Sequence, residues 1–160
     1  LYPSRLLLPQ KTAKQLDVIL AAVLECADGL ERQASPDTLR SLLQLEAAEG
    51  VPPGAKERLR NIIIRLIPES VVTESEGWDE YGLQPLEVAP APDSVWIPYL
   101  GDSVERHLDY LVENQNPDGS WKPFWTWGEA YPSAWSQARE EWAGVLTLRN
   151  LKALDAFGRL

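Results

Sequence analysis

The spacing of apolar residues over the first two-fifths of the chain predicts three amphipathic helices. In residues 11–30 the apolar positions recur at intervals of three and four, which places them on one helical face. A second helix is predicted to begin with Ser35 as its N-cap and Pro36 in the first helical position. The third covers residues 52–68, and Pro68 is expected to end it because proline has no amide donor.

Between residues 69 and 101 the helical pattern is interrupted by proline, glutamate and glycine. Connections in compact domains are usually ~4–6 residues, so this segment is too long for a simple loop. It also carries large apolar residues, among them Trp78, Leu86 and Trp96. We therefore expect an ordered, irregular strap that lies over the helices with its aromatic side chains tucked in.

Helical spacing returns over residues 102–160. Val104, Leu108 and Leu111 form the apolar face of one predicted helix, and the longest helix follows Pro132. Apolar residues occupy such a wide arc of this last helix that we expect it to contact more than one neighbour. No segment alternates strictly between apolar and polar residues, so the pattern predicts an all-α protein.

Length and composition are those of a single globular domain of residues 1–160. The chain has 160 residues, of which 44% are hydrophobic and 24% charged, with a formal net charge of −9. This acidic balance argues against binding to nucleic acid or to an anionic membrane surface. No apolar run approaches the ~20 residues that span a bilayer.

Two residue counts bear on the setting of the chain. The single cysteine, Cys26, excludes a disulfide framework and a cysteine-based zinc site, and an isolated thiol fits a cytoplasmic protein. The sequence contains no methionine, not even at residue 1, and its start lacks the features of a signal peptide. We therefore expect the chain to be the C-terminal part of a longer polypeptide.

The segment "LDYLVENQNPDGSW" resembles the Gln-and-Trp repeat of squalene–hopene and oxidosqualene cyclases and related prenyltransferase-like proteins. The matching positions are Gln115, Gly119 and Trp121, and the resemblance extends over residues 70–160. It implies an α/α toroid, which is built from two concentric rings of helices. The chain is then expected to form an arc of such a toroid.

The resemblance assigns no catalytic residue of the family to a position in this sequence. The Asp-x-Asp-Asp cluster of the cyclases and the Asp-Asp-x-x-Asp/Glu motif of other terpene synthases are both absent from this sequence. Protein prenyltransferases hold zinc with Asp, Cys and His, whereas the one Cys and the one His here are far apart. We predict no cofactor and no metal site, and whether the chain is an enzyme stays open.

The turn from Gln115 to Trp121 is interpreted first as a clamp between helices. The Gln115 amide can satisfy open groups at a neighbouring helix end, and Asp118 can bond back to the turn. Gly119 can supply a positive φ, and Trp121 can lie over the glutamine or the next helix. A calcium loop is excluded because the terminal glutamate is missing.

Six tryptophans are candidates for ligand binding. Aromatic faces stabilise carbocations and quaternary ammonium groups, and the family resemblance implies rings that line a cavity. The alternative is that they bury large area between the strap and the last helix. The candidates are Trp78, Trp96, Trp125, Trp127, Trp135 and Trp142.

The candidate acid–base residues are fewer. The segment "TESEGWDE" brings Glu76, Asp79 and Glu80 close to Trp78, and a carboxyl held against an aromatic ring can become a general acid. The same carboxylates could bind a hard cation or form a solvated acidic loop. His107 lies on the apolar arc of its helix, where a core residue and a catalytic base are both conceivable.

Two functions follow from these observations. The first is a terpene-cyclase- or prenyltransferase-like protein that binds a hydrophobic, isoprenoid-type small molecule. The second is a non-catalytic helical scaffold that binds a protein partner or the rest of its own polypeptide, because half a ring leaves apolar helices uncovered.

Overall fold

The computed structural model describes residues 9–128 and 131–160, and within these ranges the fold is all-α, as predicted. Six α-helices are found there, together with short 3₁₀ turns that include Ser75–Gly77 and Ile97–Tyr99, and the same residues contain no strand. The helices are α1 (Gln10–Asp28), α2 (Pro36–Ala47), α3 (Pro53–Ser70), α4 (Pro85–Val88), α5 (Ser103–Glu113) and α6 (Pro132–Ala156).

The chain divides into two compact units, the first ending at Val71 and the second beginning at Val72. In the first unit α3 packs against both α1 and α2. Ser35 caps α2 as predicted, since its Oγ accepts a hydrogen bond from the Thr38 amide at 3.2 Å. The core side chains of this unit are Leu20, Leu24, Leu39, Leu42, Leu59, Ile62, Ile63, Leu66 and Ile67.

The prediction that Pro68 ends the third helix is wrong, because α3 continues to Ser70. Pro68 lies in the last turn and its ring is exposed, so the helix loses one amide donor without a break. The Val71 amide donates to the Ile67 carbonyl at 3.0 Å, and the buried Ser70 hydroxyl accepts the Ala34 amide at 2.9 Å. These bonds hold the helix end beyond the proline.

The strap is ordered where the structure describes it, and it contains α4 and both 3₁₀ turns. The Val72 amide donates to the Leu83 carbonyl at 2.9 Å. Of its aromatic residues, Trp78 and Trp96 are buried, whereas Tyr81 and Tyr99 are exposed. The expectation that all its aromatic side chains are tucked in therefore holds for the tryptophans alone.

In the second unit α4 packs against α5, and α6 presents a narrow buried face. Ala143, Leu146 and Leu154 of α6 are buried, but Val145 and Leu148 are more than half exposed. The wide apolar arc that the sequence shows on this helix is thus only partly covered by described residues. None of the described helices combines the length and the apolarity that a bilayer crossing needs.

The first unit contains two ion pairs that differ in burial, which generates a stability prediction. Arg60 Nε lies 2.6 Å from the buried Glu46 carboxylate, whereas Arg58 pairs with the half-exposed Asp28. Arg60→Leu should lower the free energy of unfolding by about 1–3 kcal/mol, because it leaves a buried carboxylate without its partner. The matched control, Arg58→Leu, should cost less than about 1 kcal/mol. Urea unfolding measures both, and equal losses would contradict the account.

Candidate functional site

The turn that follows α5 is closed by its own side chains. Gln115 Nε2 donates to the Gly119 carbonyl at 3.0 Å, and Gly119 has a φ of +81°, a conformation that glycine adopts without strain. Asp118 Oδ1 accepts the Ser120 hydroxyl at 2.6 Å and the Ser120 amide at 3.0 Å. These two bonds lower the pKa of the Asp118 carboxyl. Side chains of the turn itself therefore supply the bonds that close it between Gln115 and Ser120.

Trp121, and not Gln115, satisfies an open carbonyl at a helix end. Its indole Nε1 donates to the Leu111 carbonyl at 2.9 Å, and that carbonyl lies in the last turn of α5. Its backbone amide donates to Thr147 Oγ1 of α6 at 3.1 Å. Because the ring is buried, Trp121 joins both helices as well as ending the turn.

Five aromatic residues after the turn form what we call the aromatic surface: Phe124, Trp125, Trp127, Trp135 and Trp142. The ring centroids lie 5.0 Å apart in the Phe124–Trp125 pair, 5.5 Å in Trp125–Trp142 and 5.2 Å in Trp127–Trp135. Trp127 is 46% exposed, Trp142 42% and Phe124 43%. Their edge-on and tilted pairing holds the rings in place while leaving much of their area open to solvent.

The open surface continues along α6. Val145 and Leu148, one and two turns beyond Trp142, are 55% and 57% exposed. A groove of about 470 Å³ also borders this helix, and its lining combines apolar residues such as Leu148 with the charged residues Asp118, Lys122 and Glu140. A methyl group at Gly144 would meet no atom within 4 Å. Within the described part of the chain, α6 thus exposes apolar side chains beyond Trp142 and also borders a groove of mixed polarity.

Two of the six candidate tryptophans lie apart from this surface. Trp78 is buried, donates from Nε1 to the Val72 carbonyl at 2.8 Å, and has its ring centroid 4.6 Å from that of His107. Trp96 is also buried. The structure therefore pairs Trp125 with Trp142 and Trp127 with Trp135, and it places the two strap tryptophans in the interior.

The carboxylates of the acidic loop have structural neighbours. Asp79 accepts the Tyr110 hydroxyl at 2.5 Å, and burial together with this contact raises the pKa of Tyr110 to about 12. Glu74 pairs with Arg106 at 3.1 Å, and this partner lowers the Glu74 pKa, the opposite of what a general acid needs. Glu76 and Glu80 are exposed. Within residues 9–128 and 131–160 no group of acidic, His and Cys residues could hold a metal ion.

His107 is a core residue rather than an exposed base. It is 2% exposed, and its Nδ1 accepts the Leu86 amide at 3.4 Å. Burial, followed by the positive charge of Arg149, lowers the His107 pKa to about 3. The ring is therefore neutral near pH 7 and carries its proton on Nε2, for which the described residues supply no hydrogen-bond partner.

Sequence reasoning missed the residues of α6 that lie near His107. Asn150 is buried, and it follows Leu146 by four residues on the same face of the helix. A polar residue at an apolar position of the helical pattern was the available signal. Arg149, beside it, pairs with Glu87 of α4 at 3.0 Å.

Comparisons with protein-family models, with curated proteins and with solved structures found no match to this chain. The resemblance to the Gln-and-Trp repeat of the terpenoid cyclases stays a prediction from the sequence.

The buried neutral histidine generates a pH-dependence prediction. The unfolded chain binds a proton on His107 near pH 6.5, but the folded chain does so only near pH 3, so stability falls as the pH drops between these values. His107→Gln removes this titration. Relative to this variant, the wild type should lose about 1 kcal/mol of unfolding free energy per pH unit near pH 5.

Chemical denaturation from pH 7 to pH 5 measures this difference. His107 is the only histidine in the sequence. The wild type and the variant have the same carboxylates, so the contributions of the carboxylates cancel in the comparison. If the unfolding free energies of the wild type and of His107→Gln change in parallel with pH, the fold does not hold the histidine neutral.

Proposed function

We propose that this chain is a non-catalytic binding module that docks an apolar protein surface through the aromatic surface. The observation that carries the proposal is the exposure of Trp127 and Trp142 at nearly half of their area, in contact with further aromatic rings. Contiguous exposed apolar patches are uncommon on proteins without a partner. The partner is the rest of the same polypeptide or another protein.

The composition and rigidity of the surface fit a protein interface. Tryptophan and tyrosine are enriched among the residues that contribute most to binding, because they bury large area at a low entropy cost. Trp135 and Trp142 are seven residues apart and so share one face of α6, which keeps their spacing fixed.

The environment of the acid–base candidates favours a binding function over catalysis. Asp79 is engaged by Tyr110, and His107 has a pKa far below neutrality, so it is a poor base at pH 7. Glu76 and Glu80 are exposed on the loop. Binding through the aromatic surface, by contrast, requires no proton transfer.

The arc of an α/α toroid is the architecture that we propose for this module. It is supported by the pairing of helices adjacent in the chain, α2 with α3 and α4 with α5. It is also supported by the closed Gln115–Trp121 turn, in which the glutamine and the tryptophan that the resemblance rests on each bond to a backbone carbonyl.

A hydrophobic small molecule of the isoprenoid type is the second candidate for the aromatic surface. The observation that favours it is the edge-on contact of Trp125 with Trp142, which leaves indole faces free for an apolar chain. Titration with farnesol should then quench tryptophan fluorescence saturably in the wild type. The same titration should leave a Trp127→Ser/Trp142→Ser variant unchanged.

The docking proposal is tested by placing a photo-crosslinking amino acid at position 127 of the protein expressed in its native cell. Trp127 is half exposed on the aromatic surface, so we expect a crosslink to one discrete peptide. A Trp142→Ser substitution in the same protein should reduce the yield about tenfold, because buried tryptophans dominate interface energetics. Mass spectrometry identifies the crosslinked peptide.

The matched control places the same amino acid at Val112, which is 50% exposed on α5 and lies outside the aromatic surface. No discrete peptide is expected there. Equal crosslinking at both positions, or none at position 127, would overturn the docking proposal. A mass increase without a peptide would favour the small molecule.

A further inference from the structure

A second concave feature lies between α4, α5 and α6, entirely within the second unit. This cleft has a volume of about 180 Å³. Leu86, Pro90 and Ala153 form its apolar part, and His107 of α5 also lines it. Liquid water takes up about 30 Å³ per molecule, so the cleft has room for a compound of only a few heavy atoms.

The polar part of the cleft is positively charged, in contrast to the net charge of −9 for the whole chain. Arg149 and Lys152, three residues apart on α6, both line it, and Glu87 is the acid on the opposite wall. Two positive charges and one negative charge leave one positive charge in excess. This balance suits a singly charged anion better than a doubly charged one.

The cleft already accommodates one carboxylate of the chain itself. Glu87 Oε1 lies 3.0 Å from Arg149 Nη1, and Glu87 Oε2 accepts the Gln84 amide at 3.2 Å. The Arg149 side chain is 45% exposed despite this pair, and a guanidinium has five N–H donors. Arg149 can therefore bind a second carboxylate, with Glu87 as an internal competitor.

Two buried polar side chains complete the cleft. Asn150 is 6% exposed and lies between Arg149 and Lys152 in the sequence of α6, where its amide offers both a donor and an acceptor. His107 is 2% exposed, and the positive charge of Arg149 contributes to its lowered pKa. The field of the arginine thus reaches the interior wall of the cleft.

We propose that this cleft binds a small monocarboxylate with a short apolar chain, its carboxylate held by Arg149 and Lys152. The alkyl chain lies against Leu86, Pro90 and Ala153, and the Asn150 amide contributes a polar contact. The site is separate from the aromatic surface, so its existence does not depend on how that surface is used.

The single histidine makes the test specific, because its ring signals in the NMR spectrum report on this cleft alone. Titration of the wild type with butyrate at pH 7 should shift the His107 signals saturably, with a dissociation constant of about 1 mM. Lys152→Gln should weaken binding about fivefold, since it removes a charged donor. Glu87→Gln should tighten binding, because it frees Arg149 while its amide oxygen still accepts the Gln84 amide.

The control variant is Lys122→Gln, which removes a lysine that lines the groove beside α6 instead. It should leave the butyrate affinity unchanged. Inorganic phosphate, which has no apolar chain, should bind more weakly than butyrate. The proposal is overturned if butyrate causes no saturable shift, if phosphate binds more tightly, or if Lys152→Gln and Glu87→Gln change the affinity in the same direction.

Discussion

The hydrogen bond from the Trp121 indole to the Leu111 carbonyl is the interaction on which the second unit depends. It pairs a carbonyl in the last turn of α5 that would otherwise be unpaired, and it buries a large ring at the same point. The bond from the Trp121 amide to Thr147 attaches α6 to the same turn. One residue thereby fixes the end of one helix and the middle of another.

This constraint separates two kinds of aromatic residue that the sequence presents together. Trp121 is buried, and both of its N–H groups donate to neighbouring helices. The residues of the aromatic surface follow Trp121 in the sequence. The exposed rings of Trp127 and Trp142 are held by contacts with other rings and retain free area. Farther along α6, Arg149, Asn150, Lys152 and Ala153 line the small charged cleft together with His107 of α5. The one helix thus presents an apolar surface and a polar cleft.

The sequence predicted the five longer helices and the Ser35 cap, because each rests on local spacing or chemistry. It did not predict the short helix α4, and it left open whether His107 is a core residue or a base. It did not predict that α3 passes Pro68, where the last turn tolerates a residue without an amide donor. It could not tell which side of α6 stays open, because periodicity shows which residues are apolar and not what they meet. The role of Trp121 at Leu111 was hidden for the same reason, as it depends on a contact across the turn.

Hydrogen exchange of the tryptophan indoles, followed by NMR, tests this division most directly. The Trp121 indole donates to Leu111 and the Trp78 indole to Val72, so both signals should persist after transfer into D₂O. The signals of Trp127 and Trp142, which are nearly half exposed, should disappear at once. Exchange of Trp121 as fast as that of Trp127, or protection of Trp142 in the isolated chain, would contradict the account.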